Sequence, residues 1–144
     1  MKFNEISKQF VVFELGKEDY GIDILVVKTI EKMTNITRVP KTASYVKGVI
    51  NLRGEIVPII DLREKLNIEK KEYNDNTRII IVHLNDMDVG LIVDSATQVI
   101  EIDNNMIEEP PQSLNIGEQN VIYGIGKIND KIITILDVEK LLTA

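Results

Sequence analysis

The chain has 144 residues, 44% of them apolar, with 17 Lys+Arg against 23 Asp+Glu and a formal charge of −6. That is enough apolar mass for one ordinary domain or two small lobes, and too much for a disordered chain. The acidic balance argues against nucleic-acid binding, and the lack of cysteine removes disulfides, thiolate metal sites and cysteine nucleophiles.

The longest unbroken apolar run is four residues, as at 10–13 and 79–82. A membrane-spanning helix needs roughly 18. Residues 1–8 lack the apolar centre of a signal peptide. The expectation is a cytoplasmic protein without membrane insertion.

In chain order the pattern is one of short strands. Ile (24) and Val (14) outnumber Leu (11) and Ala (3), which favours pleated sheet over helix. Strand-like runs fall at 10–15, 20–24, 48–52, 55–60, 78–84, 89–93, 98–102, 121–128 and 131–136. Polar turns separate them, at Gly16-Lys17-Glu18-Asp19, Arg53-Gly54, Asn85-Asp86-Met87-Asp88 and Asn129-Asp130. Residues 24–30 suggest one short helical element. Two further helices are expected after Asp61 and Asp137, each Asp capping the first turn, with Glu64 as capping-box partner of Asp61. Pro58 predicts an edge strand or a bulge.

The sequence repeats itself. Residues 48–62 lie over 124–138 at an offset of 76, and residues 10–30 lie over 79–99 at an offset of 69. The duplication predicts two similar lobes, about 9–68 and 77–142, with 69–76 as linker and a groove at their seam. Terminal strands could cross between lobes without leaving a trace in the sequence. Many short strands with polar turns point to small barrels or a sandwich.

Catalytic chemistry is sparse. His83 is the single histidine and sits inside an apolar strand run. Asn85-Asp86-Met87-Asp88 reads as a hairpin turn, because it lacks the glycine and distant glutamate of a calcium loop. Gly124-Ile125-Gly126-Lys127 lacks the spacing of a phosphate loop. No nucleophile elbow occurs. The expectation is a binding protein that is not an enzyme and needs no cofactor or metal. The alternative is a small-ligand-binding or enzymatic β-barrel protein that uses the inter-lobe groove, with His83 and nearby acids.

The run Val46-Lys47-Gly48-Val49-Ile50-Asn51-Leu52-Arg53-Gly54-Glu55-Ile56-Val57-Pro58-Ile59-Ile60-Asp61-Leu62-Arg63 resembles the signature of the CheW family of chemotaxis coupling proteins. Tyr20-Gly21-Ile22-Asp23-Ile24, Val89-Gly90-Leu91-Ile92-Val93-Asp94 and Asp137-Val138-Glu139-Lys140-Leu141-Leu142 extend the resemblance over about residues 8–142. It implies an all-β fold with short helices: two pseudo-symmetric five-stranded SH3-like barrels. It also implies a non-catalytic scaffold at membrane-associated receptor arrays. The partners implied are the regulatory domain of the histidine kinase CheA and the cytoplasmic tip of methyl-accepting chemoreceptors.

The same resemblance assigns receptor binding to Val27, Ile30, Gly48, Arg53, Gly54, Val99 and Ile100. Val27 and Ile30 would share one helical face. Arg53 would stand exposed on its turn and grip carboxylates. Gly54 would supply positive φ, and Gly48 a close backbone approach. Kinase binding falls to Ile36, Thr37, Arg38, Val39 and Lys47, with Ile36 and Val39 forming an exposed apolar patch. Where many members carry an acidic partner for Arg53, this chain has Thr29. Glu31, two positions on, would lie on the wrong face of a helix.

Overall fold

The computed structural model describes residues 7–111 and 121–143, so most of the N-terminal segment weighed above as a signal peptide lies outside the described residues. In order they form β1 (Ser7–Leu15), β2 (Glu18–Asp23), a 3-10 turn (Ile24–Val26), β3 (Val27–Lys32), β4 (Val46–Leu52), β5 (Glu55–Asp61) and α1 (Leu62–Lys65). There follow β6 (Arg78–Leu84), β7 (Met87–Val93), β8 (Ser95–Asp103), a 3-10 turn (Asn104–Met106), β9 (Ile107–Glu108), β10 (Ile122–Ile128), β11 (Lys131–Leu136) and α2 (Val138–Thr143). The fold is mainly β with short helices, as expected.

Turn chemistry sets the hairpins. Two residues separate the paired ends of β1–β2, β4–β5, β6–β7 and β10–β11. Arg53 and Gly54, Asn85 and Asp86, and Asn129 and Asp130 all have positive φ. Positive φ at both central positions is the type I′ geometry that matches strand twist.

The strands form two sheets, in the orders β8-β1-β2-β11-β10-β9 and β3-β6-β7-β5-β4. At the repeat offsets β1 and β2 correspond to β6 and β7, β3 to β8, and β4 and β5 to β10 and β11. The two sheets therefore share one order, and each takes two strands from one repeat and three from the other. Parallel pairs join the mixed parts: Gly21 lies opposite Ile135 in one sheet and Gly90 opposite Ile59 in the other. These are equivalent positions in the same register. Each sheet thus has the five strands of the expected SH3-like barrel, and the two-residue β9 adds a sixth to one.

The described chain falls into two compact units, residues up to 24 with those from 97 onward, and residues 25–96. They are not the sequential halves 9–68 and 77–142, because the non-local pairing of β2 with β11 carries the first hairpin away from its own repeat. Each unit has its own core, built on corresponding residues. Phe10, Val12, Ile133 and Ile135 pack in one, and Ile79, Ile81, Val57 and Ile59 in the other.

Four local expectations change. Residues 27–30 are strand, and the helical turn stops at Val26. Pro58 lies in the interior strand β5, not at an edge; it stands opposite Val49, the β4–β5 register shifts one position on, between Val46 and Gly48, and pairing with β7 begins only at Ile59, so no ladder bond is lost. Segment 69–76 is a loop inside the 25–96 unit. Its Tyr73 hydroxyl donates to Asp61 Oδ2 at 2.8 Å, and its Glu69 carbonyl accepts from Arg63 at 2.6 Å. Asp61 does cap α1, accepting from Arg63 N at 2.9 Å. Glu64 does not complete a capping box, because the Asp61 N–H is taken by the Tyr45 carbonyl at 2.8 Å. Glu64 instead pairs with Lys47 and, at 3.7 Å, with Lys70.

Candidate functional site

The β4–β5 hairpin presents Arg53 at its tip. Asn51 Oδ1 accepts from the Gly54 N–H at 3.0 Å and closes the turn. Gly54 has φ +87° and open space where a Cβ would stand, so its role is purely conformational. Gly48 is different. It has φ +138°, and a Cβ would lie 2.0 Å from the Thr37 carbonyl oxygen. Thr37 and Val49 exchange backbone hydrogen bonds of 2.9 and 2.8 Å across that gap. Gly124, its counterpart at offset 76, lies under β9, with a Cβ position 2.7 Å from the Ile107 side chain and 3.1 Å from the Glu108 carbonyl oxygen.

The Arg53 side chain is 72% exposed, and its Nη2 stands 3.9 Å from Glu31 Oε2. This corrects the expectation that Glu31 faces away. In a strand, residues two apart share a face, so Glu31 takes the side of Thr29. Thr29 carries a buried hydroxyl with no partner among the described residues.

Val27 and Ile30 lie on β3, so the shared helical face does not exist. Val27 is half-buried, whereas Ile30 is 42% exposed. Val99 corresponds to Ile30 at the repeat offset and is 48% exposed on β8. Its neighbour Ile100 packs against the core of its unit. Alternation along one strand separates the pair.

The segment 36–47 borders a concavity of about 740 Å³ within the 25–96 unit. Ile36, Arg38, Val39 and Lys47 line it, together with Lys41 and Tyr73. Ile36 is not exposed as expected. It is half-buried against the core, while Val39 stays exposed beside it. Lys47 is tied to Glu64. Tyr73 and Lys41 were not singled out from sequence; the left-handed Lys41 after Pro40 leaves no pattern that distinguishes it from a solvated lysine.

His83 stands opposite Asp88 across the β6–β7 hairpin and is 52% exposed, with Nδ1 2.5 Å from Asp88 Oδ1. Lys28 Nζ donates to Asp88 Oδ2 at 2.7 Å. Lys28, then His83, hold the Asp88 carboxyl below its usual range despite some desolvation. The three side chains form a hydrogen-bonded cluster beside the β6–β7 turn. Among the described residues no group of acids and histidine is arranged to hold a metal. No described helix is long and apolar enough to cross a membrane.

The CheW-like domain family matches residues 9–144. The chain is 42% identical to the chemotaxis protein CheW of Helicobacter pylori over 96% of this chain and 84% of that one. It is 39% identical to that of Bacillus subtilis, over 94% and 87%. The crystal structure of the scaffolding protein TtCheW from Thermoanaerobacter tengcongensis superposes with a TM-score of 0.88 at 41% identity, covering 95% of this chain and 93% of that one. The duplicated β fold, the Asn-Leu-Arg-Gly hairpin and likeness over nearly the whole length lead to one assignment: the chain belongs to the CheW-like family of chemotaxis coupling proteins.

Proposed function

We propose that this chain holds the regulatory domain of CheA and the cytoplasmic tip of methyl-accepting chemoreceptors in one assembly, so that receptor state reaches kinase activity. It works in the cytoplasm, at membrane-associated receptor arrays. The observation that carries this reading is the equivalence of Ile30 and Val99. The repeat leaves an aliphatic side chain exposed at the same position in both copies, and helical partners supply apolar stripes for such residues. Val27 shares β3 with Ile30, and Ile100 shares β8 with Val99. Arg53 adds a cation on a turn shaped by Gly48 and Gly54. The residues assigned to receptor contact, or to shaping it, are Val27, Ile30, Gly48, Arg53 and Gly54 in the 25–96 unit and Val99 and Ile100 in the other.

Kinase docking falls to Ile36, Thr37, Arg38, Val39 and Lys47. The concavity, with Val39 exposed on its rim, supports this assignment. The test is a pair of calorimetric titrations, one with the CheA regulatory domain from the same organism and one with a receptor tip fragment. Saturable one-to-one binding of the kinase domain, and receptor binding weakened by Arg53→Glu, are expected. A folded protein that binds neither contradicts the reading.

A further inference from the structure

The concavity at residues 36–47 differs in charge from the rest of the chain. The protein has 23 acidic residues against 17 basic ones, yet the lining contains Arg38, Lys41 and Lys47 and no carboxylate. Lys47 is neutralised by Glu64. Arg38 and Lys41 have no ion-pair partner among the described residues. An apolar wall of Ile36, Val39 and Val46 stands beside these two cations.

Lys41 is also held at a conformational cost. It follows Pro40 and has φ +64°. Proline followed by a left-handed residue is the type II turn pattern, and that second position normally takes glycine or asparagine. A lysine there sets its Cβ against the backbone, and no ion pair among the described residues offsets this. Strain of this kind is retained where a side chain is needed in one place. The turn aims a lysine at the concavity where glycine would fold more easily.

We propose that this concavity selects an acidic segment of the docking partner, a carboxylate beside an aliphatic side chain, and that Lys41 is its main specificity-determining cation. The inference rests on the kinase-docking reading above and supplies the chemistry of that contact. A carboxylate between Arg38 and Lys41 gains from two otherwise unpaired charges, while the neighbouring aliphatic covers Val39.

The test is calorimetric titration of the CheA regulatory domain into the wild type, Lys41→Gly, Lys41→Glu and, as a control on overall charge, Lys131→Glu. Each variant is also melted. Lys41→Gly is expected to melt at or above the wild-type temperature yet bind about fivefold more weakly, and Lys41→Glu about twentyfold more weakly, with Lys131→Glu unchanged. Wild-type binding equalled by both Lys41 variants overturns the inference and leaves the coupling reading standing. A lower melting temperature for Lys41→Gly overturns the strain argument. No binding by the wild type overturns the coupling reading, and the inference falls with it.

Discussion

Arg63 grips Asp94 with two parallel hydrogen bonds, Nε to Oδ1 at 2.7 Å and Nη2 to Oδ2 at 2.5 Å. The side chains are 11% and 12% exposed, and the pair joins the start of α1 to the end of β7. The Asp94 carboxylate raises the Arg63 pKa above its ordinary value. Arg63 also reaches the Glu69 carbonyl, so the same side chain holds the 69–76 loop. Asp94→Ala would leave a largely buried guanidinium without its carboxylate, still donating to the Glu69 carbonyl. We expect a loss of about 2 kcal/mol, read by urea denaturation, because breaking one side of such a pair costs more than the pair contributes.

The two glycines of the hairpin region should respond very differently to alanine. Gly54→Ala meets no atom within 4 Å and suffers only from its positive φ. Its expected cost is about 1 kcal/mol. Gly48→Ala drives a Cβ into the Thr37 carbonyl, from a backbone angle that also disfavours it. It should cost at least about 3 kcal/mol and open the Thr37–Val49 bridge. Thermal melts rank the two, and loss of hydrogen-exchange protection at Val49 reports the opened bridge. Equal effects would contradict the assigned roles.

Asp88 predicts a pH dependence with a definite sign. Its pKa is lowered in the folded state, first by Lys28 and then by His83. The stabilisation is therefore present above the unfolded carboxylate pKa and is lost as pH falls through the folded value. The wild type should melt higher than Asp88→Asn near neutral pH. The difference should shrink as pH is lowered through and below the ordinary carboxylate range of about 4. A difference that grows toward acid would contradict this origin.

Local chemistry made most strands legible. Runs rich in Ile and Val and the Asn-Asp and Arg-Gly turns located the hairpins, and Asp61 and Asp137 both cap helices as their positions suggested. Residues 24–30 were misread because Val27 and Ile30 at spacing three fit a helix and a twisted edge strand equally well. That error propagated to Glu31, which a helix would turn away and a strand brings toward Arg53. The exchange of hairpins between repeats was not legible, since the parallel pairs Gly21–Ile135 and Gly90–Ile59 depend on non-local packing. Arg63 with Asp94, and Tyr73 with Asp61, also pair residues far apart in sequence. No spacing rule connects them.

Arg53 should matter for binding and little for stability. Its contact with Glu31 is long and its side chain is exposed. Exposed pairs of this kind contribute about 0.5 kcal/mol or less. Arg53→Glu should therefore keep the wild-type melting temperature within about 2 °C. A large fall would mean that the residue is structural and would remove it from the receptor surface.

The central claim is that this chain couples two partners. The direct measurement is CheA autophosphorylation in a reconstitution with receptor tip fragments, with and without this protein, using the wild type and Arg53→Glu. The account predicts that receptor fragments change kinase activity only when the wild-type protein is present. It also predicts that Arg53→Glu, still able to bind the kinase domain, loses most of that response. Receptor control of the kinase that is equally strong without this protein would contradict it.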